Sequence, residues 1–287
     1  MFIDIHVHPD FYEPLNSNPQ REALRHEQLN IHRNGTAPLV HVFNQMKCAG
    51  LDRLCLLPRD CSTFLGHSLV TNEEISGLCS LYPDRFIGFA SVDPARQDAP
   101  DILESAFTDQ KLAGLKLHPA RQHFYPSDPA LNALYGLCEK YDKPILFHCG
   151  LSMESDAPAH FARPLAFEEL AMRRPALRIC LAHFGWPWVK ETAMLMLKYR
   201  NVYADTALLY FDSAIEFYRQ VFTREIPATW IDRSLRNQVM FGSNNPRFEQ
   251  IRMADAIAKL GFRDSTLDLI RGGNALEFLR LENKETR

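Results

Sequence analysis

Short apolar runs alternate with amphipathic stretches along the whole chain. Eight runs read as strands, at residues 2–8, 53–58, 85–92, 114–118, 144–148, 177–183, 202–206 and 239–243. Between them, apolar positions recur at helical spacing over 38–49, 72–82, 99–108, 129–141, 166–173, 188–198 and 212–221. Two further helical patterns, 247–260 and 272–281, follow the last strand. The runs at 144–147 and 177–181 are apolar at nearly every position, as strands are when helices cover both faces of a parallel sheet. Eight such units in about 250 residues, with no Gly/Ser or Pro-rich linker, predict one closed α/β domain, a (β/α)8 TIM barrel over residues 1–287. The rival architecture is an open doubly wound sheet. It calls for a glycine-rich phosphate loop after an early strand, and the chain has neither GxGxxG nor GxxxxGKS.

Residues 10–35 break the alternation: they are long, polar and rich in Asn, Arg and His, directly after the first strand. A loop of this length inside a compact domain is expected to be a lid or an inserted substrate-binding piece. Its histidines, His26 and His32, read as exposed polar residues.

Composition narrows the partners. A net charge of −3 offers no electrostatic case for nucleic acid or an anionic membrane. No apolar run approaches the roughly 18 residues that a membrane helix needs. The first residues carry no basic start, apolar core or small-residue cleavage site, so a cytoplasmic location is expected. Seven cysteines with no CxxC pair argue against a disulfide framework or a zinc ribbon. Several, such as Cys55 and Cys180, sit inside apolar strands as small hydrophobes. Cys149 follows His148 directly and so takes the opposite strand face, which makes it a packing residue.

Chemistry enters where the strands end. In MFIDIHVHPD, His6 and His8 are spaced i, i+2 and so share one strand face, about 7 Å apart along the strand. An alternating strand with one wet face would give the same pair. Yet the fourth strand ends in Lys116 and His118, the fifth in His148, the sixth in His183, the seventh in Asp205 and the eighth in Ser243 and Asn244. Active sites of such barrels lie at these ends. Neutral imidazoles suit zinc, or manganese, iron or cobalt. Three protein ligands with an open position form the catalytic zinc pattern, in which bound water ionises near neutral pH. Lys116, aimed into the barrel mouth beside His118, reads as a cationic clamp for a substrate carboxylate. Arg121, Arg163 and Arg247, each shortly after a strand end, suit the same anionic substrate, although surface arginines need no such role.

These segments together resemble the amidohydrolase superfamily, in particular its amidohydrolase-2 branch of metal-dependent barrel hydrolases and decarboxylases. IDIHVHPD resembles the opening HxH strand and NEEISGLCSLYPDRFIGFASVDP the second helix and third strand. AGLKLHPA, PILFHCG, ICLAHFG and VMFGSNNP resemble strands four, five, six and eight, and GGNALEFL the closing helix. The resemblance implies that His6, His8 and His148 bind one divalent metal, with zinc favoured. It implies that His183 polarises substrate or supports the site in one-metal members and is a metal ligand in two-metal members. In two-metal relatives a strand-four lysine is carbamylated, so a second ion would require that of Lys116. The strand-eight position normally holds an Asp that binds metal and moves the proton; here it is Asn244. An amide takes no proton from water at neutral pH. Three explanations stay open: an engineered replacement, a natural member that uses His183 or Asp205 as base, or a chain that has lost catalysis.

The first functional expectation is a metal-dependent hydrolase of a small carboxylated lactone or cyclic amide, with activity impaired by Asn244. Its site assigns Asn244 and His183 to catalysis and Lys116, His118 and Arg247 to the substrate. The second is non-oxidative decarboxylation of an aromatic or unsaturated acid on the same barrel. The third is a catalytically silent ligand-binding barrel, against which the retained histidines argue. A nuclease on this barrel would want a strand-four carboxylate and a basic groove, and the chain offers neither. The expected partner is a small, anionic molecule, with no nucleic acid and no membrane; a homodimer is left open.

Overall fold

Each predicted strand forms, shorter than its apolar run: β1 Ile3–Val7, β2 Arg53–Leu56, β3 Phe86–Gly88, β4 Leu115–Leu117, β5 Ile145–Phe147, β6 Ile179–Leu181, β7 Val202–Asp205 and β8 Val239–Met240. The computed structural model describes residues 1–31, 35–208 and 213–282. His32, and the first residue of the 212–221 helical pattern, lie outside them.

All neighbouring barrel strands pair in parallel, β1 to β3 in one run and β4 to β8 in another. Two seams join the runs. Ala90 bridges to Leu115, and Lys116 N–H donates to Ala90 at 2.7 Å. At the other seam Val7 bridges to Asn245, and Asn244 N–H donates to the His6 carbonyl at 3.0 Å. The ring is therefore closed, which is the (β/α)8 barrel and excludes the open sheet.

Alternation along each strand sorts the core into two clusters. Outward residues such as Leu54, Leu117, Phe147 and Ala204 pack under the helices. Inward residues such as Cys55, Leu146, Cys180 and Tyr203 fill the barrel. The C-terminal helix, Asn274–Leu279, puts Phe278 against this inner cluster, and Arg178 Nε donates to the Phe278 carbonyl at 2.7 Å. Arg178 immediately precedes β6, so this helix floors the barrel at the N-terminal ends of the strands. All seven cysteines are free, and Cys149 sits in the outer cluster, away from His148.

The 10–35 insertion is not a loop throughout. It contains an eleven-residue helix, Pro19–Leu29, with Asn18 as N-cap and Pro19 at the first helical position. Its apolar signal is faint because its inner face is made by Arg25 and Leu29. Arg25 is fully buried and donates to the carbonyls of Leu69 and Leu15. His26 is part-buried against Phe11 and the Ile31 carbonyl, not exposed. A second short helix missed by periodicity, Asp264–Asp268, lies between Gln250–Ala258 and the closing helix. No helix among the described residues is long and apolar enough to cross a membrane.

Candidate metal and substrate site

The pairing of β1 with β2 shifts register between Asp4 and Val7, an irregularity of the β-bulge type. Strict alternation would put His6 and His8 on the face opposite Ile3 and Ile5. Instead Ile3 and Ile5 join the inner cluster, and both histidines also line the cavity at the barrel mouth. Asp4 stays on the helix side and braces the bulge. Its carboxylate accepts from Ser243 N–H at 2.9 Å, Ser243 Oγ at 2.5 Å, Gln250 Nε2 at 3.0 Å and His6 N–H at 3.2 Å. Burial pushes the Asp4 carboxyl up to about 6, and those four donors pull against it.

The hydrogen bonds determine the tautomers. His6 Nδ1 faces Asp205 Oδ2 at 2.8 Å and His8 Nδ1 faces the Leu57 carbonyl at 3.2 Å, so each Nδ1 carries the proton. The two bare Nε2 atoms then face each other at 3.2 Å. Two lone pairs at that distance repel unless a cation lies between them. Tetrahedral zinc, with nitrogen ligands at about 2.0–2.1 Å, needs nitrogens at about this separation. His183 Nδ1 donates to the Ala207 carbonyl, which leaves its Nε2 bare at 3.2 Å from His148 Nδ1. His148 Nε2 is buried without a partner.

Burial pushes His6, His8, His118, His148 and His183 below the ordinary histidine range, and the positive charge of Lys116 adds to this at each. Neutral imidazole is the metal-binding form. His6, His183 and Asp205 also form a buried group whose ligand atoms lie within 4.8 Å of one another. Asp205 accepts from His6 on one oxygen and from the N–H groups of His183 (2.7 Å) and Ala207 (3.1 Å) on the other. With both oxygens engaged, it orients the His6 imidazole and the His183 backbone more readily than it accepts a proton from water. The donor set thus fits a divalent cation.

Of the remaining predicted residues, Lys116, His118, Asn244 and Arg247 line the same solvent-open cavity, whereas Arg121, Arg163 and Ser243 do not. Lys116 Nζ is buried with no partner, and burial pulls its amine down to about 7. His118 stacks on His148 at 3.9 Å and accepts the Arg121 N–H at Nδ1, so its Nε2 carries the proton. Asn244 has a left-handed backbone, φ 64°, and lines the cavity beside Arg247. Arg247 Nη2 donates to the Leu29 carbonyl at 2.7 Å, which ties the insertion to the mouth. Arg163 departs from the expectation: it is half-exposed, bonded to Glu191 at 2.5 Å, and outside the cavity. The sequence reading missed Arg59 and Glu154, both in the cavity wall. Arg59 follows the end of the β2 run and was findable by extending the strand-end rule to that strand. Glu154 lies in a long loop and carries no such signal.

A family model described as Amidohydrolase matches residues 3–281. No curated protein matches the chain. Among solved structures, it is similar to an uncharacterized TIM-barrel protein from Bordetella bronchiseptica (20% identity, TM-score 0.76, 97% of this chain and 98% of that one). It is also similar to a probable 2-pyrone-4,6-dicarboxylic acid hydrolase from Acinetobacter baumannii (16%, 0.66, 98% and 99%). A third is 5-carboxyvanillate decarboxylase from Sphingomonas paucimobilis (15%, 0.64, 98% and 99%). At these identities the structural likeness speaks for the fold.

Proposed function

The chain belongs to the amidohydrolase family, and from that premise we propose that it is a metal-dependent hydrolase of a small carboxylated lactone or cyclic amide. The observation that carries this is the pair of bare Nε2 atoms on His6 and His8, 3.2 Å apart, in a cavity shared with an unpaired Lys116. His6, His8 and His148 would hold the ion, zinc first by donor chemistry, with His183 and Asp205 beside them. When bound, a divalent metal supplies Lewis acidity, polarising a carbonyl and lowering the pKa of water.

The chain's own residues do the rest. Lys116 and Arg247 attract and orient the substrate carboxylate, and His118 Nε2–H donates to a substrate oxygen. Asp205 holds His6 with its Nε2 bare. The bare Nε2 of His183, which lines the cavity, takes the role of proton acceptor, since the Asn244 amide accepts none from water at neutral pH. Asn244 then binds substrate at the position where the resemblance assigns the acid/base, and turnover is slow. A second reading is decarboxylation of an aromatic or unsaturated acid. It requires no base for water, but the carbon that loses CO2 must gain a proton, which the Asn244 amide does not supply. The decarboxylase among the similar structures supports it.

The test measures metal content and turnover of the chain and its Asn244→Asp variant on a panel of lactones, cyclic amides and aromatic acids. Slow hydrolysis, raised by at least about 100-fold in the variant, is expected, the usual range for a restored acid/base. Full hydrolytic activity of the unaltered chain that falls in the variant would overturn the role given to Asn244. Release of CO2 from aromatic acids with inert lactones would replace hydrolysis by decarboxylation. A chain without stoichiometric metal would be a binding barrel.

A further inference from the structure

Three arginines, Arg59 and Arg247 from loops and Arg121 from the short helix Pro119–Gln122, meet one carboxylate at the cavity mouth. Arg59 Nη1, Arg121 Nη1 and Arg247 Nη2 lie 3.6, 3.8 and 4.0 Å from the same oxygen of Glu154. None of these is a hydrogen bond. Other Arg–carboxylate pairs close fully, as Arg21–Glu74 at 2.7 Å, Arg174–Glu139 at 2.6 Å and Arg163–Glu191 at 2.5 Å do. The pairs that stay open, Arg263–Asp232 and Arg280–Asp142, involve half-exposed arginines, apart from Arg121, which also lies 3.6 Å from Asp156. The second Glu154 oxygen is held by Ser152 Oγ.

Two of these arginines, Arg59 and Arg121, keep unsatisfied donors. Arg59 is 7% exposed, and its Nε and Nη2 are buried without a partner, as is Arg121 Nε. Nε and Nη2 form one edge of a guanidinium, the edge that receives a carboxylate through two parallel hydrogen bonds. Arg121 and Arg247 are fixed from behind by Gln28 and Leu29 at the end of the Pro19–Leu29 helix. Glu154 sits in the 151–158 segment, which forms no helix or strand. Burial alone would push its carboxyl up, but Arg59, Ser152, Arg121 and Arg247 outweigh it, so the group is ionised.

We propose that Glu154 is a built-in competitor, occupying an anion subsite of Arg59, Arg121 and Arg247 until the carboxylate of an incoming ligand takes the Arg59 edge and displaces it. The exchange replaces one carboxylate by another, so it costs little charge burial while supplying the hydrogen bonds that Glu154 does not make. Affinity for anions is held down, and neutral molecules gain nothing from the exchange. The inference rests on the proposed function only for the anionic character of the ligand.

The experiment is calorimetric titration of the metal-loaded chain with benzoate and with neutral benzamide, for wild type, Glu154→Gln and Arg59→Gln. Removing the competitor is expected to tighten benzoate binding by about tenfold, in the range of measured effects of close charge pairs, with benzamide unchanged. Arg59→Gln is expected to abolish the benzoate preference. In wild type, hydrogen exchange over 151–158 is expected to quicken when benzoate binds. Weaker or unchanged benzoate binding by Glu154→Gln would overturn the proposal and make Glu154 a brace for the arginines. So would slower exchange over 151–158. Benzoate has no bond to hydrolyse, so this outcome is independent of the turnover assay.

Discussion

Asp205 shows how one side chain sets the state of others. One of its oxygens accepts from His6 Nδ1 and the other from the His183 backbone, so it dictates which nitrogen of His6 stays bare. Asp205→Asn keeps the shape but loses the charge. Metal affinity is expected to fall by about 10–100-fold, the usual effect of removing a carboxylate behind a ligating histidine. Metal content after dialysis against graded chelator measures it, and unchanged retention would remove Asp205 from this role. At this scale the histidines and Lys116 were legible, because each ends an apolar run. Arg59 and Glu154 belong together only through a contact that no local pattern encodes.

Among elements, the exit from β6 carries the most strain. His183, Phe184 and Gly185 are three consecutive left-handed residues, with φ of 59°, 48° and 64°. For a non-glycine residue that backbone costs about 1–2 kcal/mol. The cost is offset by placement: Ala182 faces inward, so an ordinary strand would send His183 outward, and the left-handed turn brings its ring beside His6 at 4.9 Å. A Cβ on Gly185 would lie 2.2 Å from Thr192 Oγ1 and 2.6 Å from Pro164 Cγ. Gly185→Ala is therefore expected to cost about 2–4 kcal/mol by urea denaturation, from overpacking and lost backbone freedom, and to lower metal content. Native stability in that variant would show that the turn relaxes freely. The β1 bulge does for His6 and His8 what this turn does for His183. Neither device was readable from hydrophobic spacing, which assumes a regular strand.

For the whole molecule, the barrel separates stability from chemistry by its two ends. Phe278 is fully buried in the floor, its ring 5.1 Å from that of Tyr203, while the metal donors lie at the mouth. Phe278→Ala leaves a cavity and is expected to cost about 3–5 kcal/mol by denaturant titration. Metal content below the transition should stay at the wild-type level. Loss of metal in a folded Phe278→Ala protein would mean that floor and mouth are coupled through the inner cluster.

The sequence alone determined the order of strands and helices, the parallel closed barrel they imply, and the gathering of histidines at one end, because these follow from periods of 2 and 3.6 residues that act locally. It could not show which way His6, His8 and His183 turn, which of their nitrogens are bare, or that three arginines converge on Glu154. Those depend on ring closure, which sets Asp205 against His6 across 199 residues and Ser243 against Asp4 across 239. Hydrogen bonds between such distant groups leave no periodic trace in the chain, yet they decide its protonation and its charge.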